Sequence, residues 1–206
     1  MRTATIYDCE FLTNQSAPSR FWCGPMDPDP TVVQIGAVRL ELEGAFALGD
    51  TFETIVRPRD RTGAEAMLDP HFTWLTGITP ERVRDEGVPL ADALDRFELF
   101  AGTDRCWSWG KDELNLLAIS CWVEGIDAPM RPGRFGNAAA LLLASGMDPE
   151  AVGKLRSNTI CEALGVSVPL LRGHDALGDA QSVAYALQHL LRTGALRAEH
   201  FTTGGS

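Results

Sequence analysis

The chain has no apolar run long enough to cross a bilayer, which excludes a helical integral membrane protein. It has no Cys-x-x-Cys pair. Its five cysteines, Cys9, Cys23, Cys106, Cys121 and Cys161, are odd in number and widely spaced, so neither a zinc ribbon nor a disulfide framework is signalled and buried reduced thiols are expected. Lysine is scarce: of 18 basic residues only Lys111 and Lys154 are lysines. Arginine suits bidentate phosphate contacts, although biased codon usage would produce the same imbalance. A basic surplus is also missing. The net charge of −10 argues against a broad positive surface gripping long nucleic acid, but leaves phosphate substrates open, because bound divalent ions would change the local sum. The N-terminus lacks a signal-peptide layout, and no repeat or low-complexity tract stands out. A cytoplasmic protein is expected, with one domain spanning residues 1–206.

The content is that of an ordinary globular domain, 45% hydrophobic and 22% charged. Thr3 to Phe11 alternates as a strand, with Ala4, Ile6, Asp8 and Glu10 on one side and Thr5, Tyr7, Cys9 and Phe11 on the other. Residues 13–31, rich in Pro, Ser, Asn and Asp, form a long loop leaving an acidic pair, either a lid or substrate-contacting insertion or a plain surface one. Val32 to Leu42 reads as a second strand and Thr51 to Val56 as a third, an antiparallel meander. Residues 57–88 read as irregular apart from a short helical piece at His71 to Leu75.

A helix starts at Pro89, carries Leu90, Leu94, Phe97 and Ala101 on its apolar stripe, and stops at Gly102. Arg105 to Trp109 reads as a short buried strand and Asp112 to Glu124 as a helix, followed by a Pro/Gly/Arg-rich loop at 126–136. Helical segments are expected at 137–145 and 149–164. The last helix runs from about Ala176 to Arg192, with Asp175 as N-cap, and Thr202 to Ser206 reads as a frayed tail. Early strands followed by a strand–helix unit and more helices predict an α/β fold, a mixed sheet flanked by helices.

Side chains two apart on a strand share a face, so Asp8 and Glu10 can share a cation, which would relieve their mutual repulsion. Asp112 opens a helix just after a buried strand, where a carboxylate also serves as a cap or dipole partner. Glu113 competes with it one position later. His174 and Asp179, five residues apart, fall about 140° apart on a helix. The pair therefore makes sense with His174 in the preceding loop and Asp179 projecting from the first turn or so toward the sheet. Gly173 and Gly178 would allow close backbone approach on either side. Brought together, these groups would form a carboxylate cage for divalent cations with an imidazole at its rim.

Asp8/Glu10, then Leu75-Thr76-Gly77-Ile78-Thr79, then Asp112, then His174 and Asp179 occur in one order. That order resembles the DEDDh 3′–5′ exonucleases of the ribonuclease H-like superfamily, the group of polymerase proofreading subunits, oligoribonuclease and RNase T. Val33 to Val38 is similar to that family's second strand. The resemblance covers roughly residues 3–192. Two features depart from the pattern: the spacing after Ser108-Trp109-Gly110, which would select Glu113 over Asp112, and the insertion at 13–31.

The resemblance implies a ribonuclease H-like sheet, with the first three strands antiparallel and the later ones parallel. It also implies two-metal hydrolysis of single-stranded DNA or RNA to nucleoside 5′-monophosphates. Asp8, Glu10 and Asp179 would hold Mg²⁺ or Mn²⁺ directly, Asp112 would act through water, and His174 would take a proton from the attacking water. Phe11 and Leu12 would meet the terminal base and Thr13 its ribose, with core packing an equal role for Phe11. A homodimer is compatible with the resemblance. Two rival classes remain open on the sequence: a non-catalytic nucleic-acid-binding module of this fold, and a phosphohydrolase acting on small nucleotides.

Overall fold

The computed structural model describes residues 2–110, 112–169 and 171–202. Nine residues of alternating side chains make β1 (Thr3–Phe11), and their alternation divides two cores rather than core from solvent. β2 (Val32–Glu41) pairs antiparallel with β1, and β3 (Leu48–Ile55) antiparallel with β2. β4 (Cys106–Ser108) lies parallel on the other side of β1, and β5 (Phe135–Asn137) parallel to β4. The resulting order is β3-β2-β1-β4-β5, the expected antiparallel-then-parallel sheet. β1 is bonded on both edges and therefore sits at the rigid centre.

The connecting helices are α1 (Pro70–Thr76), α2 (Pro80–Glu86), α3 (Leu90–Ala101), α4 (Asp112–Glu124), α5 (Ala138–Ala144), α6 (Pro149–Lys154), α7 (Ile160–Ala163) and α8 (Ala176–Arg192). Ala4 and Ile6 of β1 meet Val183, Leu187 and Leu190 of α8 on one face of the sheet. Tyr7 and Cys9 meet Leu94 and Phe97 of α3 and Leu117 and Cys121 of α4 on the other. A third cluster, Leu12, Val33, Ile55, Phe72, Ile78 and Val83, fastens α1 and α2 at the end of the sheet. None of the helices among the described residues is long and apolar enough to cross a membrane.

Several expectations are corrected. The segment 57–88 contains two helices, not one short piece, and α2 is capped by the Thr79 hydroxyl accepting from the Arg82 N–H. The loop at 126–136 holds a 3-10 turn (Pro132–Arg134) and runs into the edge strand β5. The helix expected at 149–164 is two pieces, α6 and α7, separated by a break after Lys154. Cys23 is exposed, whereas the other four thiols are buried as expected. Residues 13–31 form a loop with a 3-10 turn at Pro18–Arg20. It is folded around Asp27, which accepts from the Asn14 side chain, the Gly24 N–H and the Arg20 guanidinium. Most of the tail expected to fray, residues 203–206, lies outside the described residues.

Gly36 of β2 stands opposite Asp8 of β1, and the first turn of α8 rests directly on it. A Cβ there would overlap backbone atoms of Ala176 and Leu177, which cannot rotate away. Gly36→Ala is expected to cost about 1–3 kcal/mol through overpacking and to lift the start of α8. A fall in the denaturation midpoint checks it, and an unchanged midpoint would contradict this packing.

Candidate metal and active site

The inward register that puts Ala4 and Ile6 against α8 carries on to Asp8 and Glu10, so β1 delivers two carboxylates beneath the N-terminus of that helix. Asp179, in the first turn of α8, meets them from above. His174 lies in the turn just before the helix, as expected, with a left-handed φ of 56°. Its backbone N–H donates to Asp179 Oδ2 at 3.0 Å, which fixes the turn to the acid and leaves the imidazole exposed at the rim. One donor atom from each of Glu10, His174 and Asp179 lies within 4.8 Å of the others. The Asp175 side chain accepts from the Gly178 N–H at 3.0 Å, the expected N-cap. Of the two flanking glycines, Gly178 supports a close approach, to the Arg172 carbonyl, while a Cβ at Gly173 would meet only ordinary contacts.

The structure brings Glu113, not Asp112, to this cluster. Successive helical residues point 100° apart, so only one of the two can face the sheet. Asp112 is exposed and turned back over Gly110. Glu113 is buried, and its Oε2 has no hydrogen-bond partner among the described residues. Among the neighbouring carboxylates, Glu113 acts most strongly on Asp8, ahead of Glu10, Asp179 and Asp112.

Burial, reinforced by this crowding, pushes Asp8 well above the usual carboxylate range. It lifts Glu10 from 4.5 to about 8, with Asp179 and Asp175 adding to the rise and Arg172 opposing it. It lifts Glu113 likewise to about 8, with Asp112 next in effect, and it raises Asp179 despite the His174 N–H bond. The donor set is hard carboxylate oxygen plus one imidazole, and an orphaned buried carboxylate oxygen lies within it. That composition fits Mg²⁺ or Mn²⁺ held by Asp8, Glu10, Asp179 and Glu113.

The expected substrate contacts divide. Phe11 is half-buried against the α3/α4 core, and Leu12 is buried in the third cluster. Core packing, the other role expected for Phe11, is what the structure shows for both side chains. Leu12 and Thr13 instead floor a cleft of about 460 Å³, walled by Met26 and Pro28 of the insertion and by Met67 and Asp69 ahead of α1. Trp22 Nε1 donates to the Leu12 carbonyl at 2.8 Å and ties the insertion to this floor. On α1, Trp74 stands exposed with its ring near His71, at 5.6 Å between centroids. Arg172, not singled out by the sequence, lays its guanidinium against Gly77 and makes no hydrogen bond or ion pair among the described residues. Its position just ahead of His174 was the one available signal.

No family model matches the chain, and no curated protein sequence matches it. Solved structures do. A 3′-exonuclease described in 3′-end-specific recognition of a histone mRNA stem-loop superposes with a TM-score of 0.73 at 20% identity, over 94% of this chain and 64% of that one. Cell-death related nuclease 4 (CRN-4) gives 0.68 at 16% identity, over 93% and 64%. The zinc-ion-bound form of an E. coli ExoI–ssDNA complex gives 0.62 at 16% identity, over 94% and 41%. The chain thus spans less than two thirds of the length of these proteins. The fold is the ribonuclease H-like fold shared by these nucleases.

The raised acids set a pH window. Between about 4.5 and 8 the folded protein keeps protons on Glu10 and Glu113 that the unfolded chain has lost. Their contribution to stability is complete below 4.5 and is lost as pH rises through 8. In EDTA, the thermal midpoint should fall between about pH 5 and pH 8, and Mn²⁺ should restore it with the larger gain at the higher pH. Thermal-shift scans in both media check this, and a Mn²⁺ gain independent of pH would count against it.

Proposed function

We propose that the protein is a DEDDh-type 3′–5′ exonuclease that hydrolyses single-stranded nucleic acid to nucleoside 5′-monophosphates. The observation that carries this reading is the convergence of Glu10, His174 and Asp179 donor atoms within 4.8 Å, with Asp8 and Glu113 buried alongside. The fold shared with 3′-exonucleases supports it.

Mg²⁺ or Mn²⁺, held by Asp8, Glu10, Asp179 and Glu113, would supply charge stabilisation at the scissile phosphate. His174, exposed at the rim of the cluster, accepts a proton from the attacking water. The new P–O bond forms as the bond from phosphorus to the 3′ oxygen breaks. That oxygen takes a proton from solvent and becomes the new 3′ end. The His174 N–H bond to Asp179 keeps the base and the acid in register. The cleft over Leu12 and Thr13 opens two residues beyond Glu10 and offers an unpaired base the side chains of Met26, Met67 and Leu68. Arg172, which makes no hydrogen bond or ion pair among the described residues, serves as a phosphate contact.

A 5′-labelled oligonucleotide tests the reading: a ladder descending from the 3′ end in Mn²⁺ and absent in EDTA is expected, and no cleavage by the unaltered protein would overturn it. Asp8→Asn, Asp179→Asn and Glu113→Gln should each abolish the ladder, while Asp112→Asn should retain most of it. His174→Ala should lower the rate by about 10²–10⁴-fold, with Mn²⁺ affinity kept. Arg172→Ala should raise KM and reduce the slope of log KM against log salt by about one phosphate's worth, roughly 0.7 for a single strand.

A further inference from the structure

Gln34 is fully buried in β2, directly opposite Glu10 in the β1–β2 register. A buried primary amide must satisfy both its donor and acceptor ends, and here all its partners are of fixed polarity. Its Oε1 accepts from the Ala176 N–H at 3.0 Å. Its Nε2 donates to Asp175 Oδ1 at 3.0 Å and to Glu53 Oε1 at 3.0 Å. The amide orientation is therefore unambiguous, since the backbone N–H can only donate and the two carboxylates accept. The same Glu53 oxygen is gripped by Arg82 of α2 at 2.7 Å. Asp175 in turn caps α8 through Gly178.

These bonds reach the two residues between His174 and the body of α8. On one side of them is the turn that presents the imidazole; on the other, three residues further, is Asp179. A strand neighbour of Glu10 thus holds the helix end that carries the other two members of the cluster. A methionine would fill the space and offer no bond. A glutamate would set a third carboxylate against Asp175 and Glu53. Resting on the exonuclease reading above, we propose that Gln34 is a positioning residue, whose amide sets Asp179 and the His174 turn in register with Glu10.

The test uses kcat, KM and Mn²⁺ titration calorimetry on the full chain. Gln34→Met and Gln34→Glu should each lower kcat and weaken Mn²⁺ binding by about 10–100-fold, as loss of an outer-shell partner does, with KM for the labelled oligonucleotide unchanged. Combining Gln34→Glu with Asp175→Asn and Glu53→Gln reverses the polarity of both donor bonds, giving up only the Arg82 bond to that Glu53 position, and should recover most of that loss. A purely structural role predicts a lower thermal midpoint, with kcat and Mn²⁺ affinity of the folded fraction unchanged and no recovery in the triple variant. Either of the latter results overturns the proposal, including where Gln34→Met fails to fold and only the glutamate series is measured. If the unaltered protein cleaves nothing, the exonuclease reading fails by itself. Calorimetry then still decides whether Gln34 sets the carboxylates, because an unchanged Mn²⁺ affinity in Gln34→Glu would overturn the positioning.

Discussion

Four buried carboxylates of one sign, Asp8, Glu10, Glu113 and Asp179, are held against one another at the end of the central strand, and the surrounding structure must overcome that repulsion. Neither Asp8 nor Glu10 accepts a hydrogen bond from the described residues, and Asp179 has the His174 N–H. Like charges at such separations, removed from water, favour protonation or a cation, and burial leads the causes that raise each of them. A chain selected only for stability would place apolar side chains here. Local conflict of this kind is what a site imposes on an otherwise consistent fold.

The force that opposes the repulsion is the docking of α8 on β1 and β2. Val183, Leu187 and Leu190 bury against Ala4 and Ile6 further along the same pair of elements, and the small side chains Ala176, Ala180 and Ala184 let the helix approach closely. Gly36 removes the one Cβ that would hold its first turn away. The N-terminus of α8, the positive end of its dipole, thereby faces the acids, a modest favourable term that acts within the first turn. The division of labour follows from the elements: the acids stand on a strand bonded at both edges and on a packed helix, while the imidazole stands on a turn exposed to solvent.

Long, strongly patterned elements were legible in the sequence. β1, β2, α3, α4 and α8 emerged from periodicity and caps, and with them Asp8, Glu10, His174 and Asp179 in their observed settings. What escaped has physical reasons. β5 has three residues, all half-buried, too few to show an alternation. α2 buries only Val83 and so carries no stripe; its signals are Thr79 and Pro80, which read equally as a turn. α6 and α7 merged because the break between them bears no glycine or proline. The acid at 112 or 113 stays open in the sequence: the spacing after Ser108-Trp109-Gly110 favours Glu113, the start of the helix favours Asp112, and a one-residue offset there exchanges the inward position for the outward one. Burial of the Glu113 side chain makes that distinction, and burial is a tertiary property.

On the proposed exonuclease reading, an acidic protein must obtain its attraction for a polyanion locally. At a net charge of −10 the long-range field repels the substrate, and counterion release can contribute only where an arginine meets a phosphate. Arg172 is placed for such a contact, close enough to Glu10 to act on its ionisation and resting on Gly77, whose lack of a side chain makes room for the guanidinium. The remaining affinity then has to come from unpaired bases meeting apolar surface. Such surface is offered by Met26 and Met67, which stand exposed at the Leu12–Thr13 cleft just after the acidic pair in the chain. The insertion that builds one wall is not a slack loop: Asp27 gathers its backbone and Trp22 bonds it to Leu12, so the wall is fixed to the end of the strand that carries Asp8 and Glu10. In the proposed reaction, selection for single strands and tolerance of an acidic surface are therefore the same property, since a stacked duplex would offer this cleft phosphates without bases.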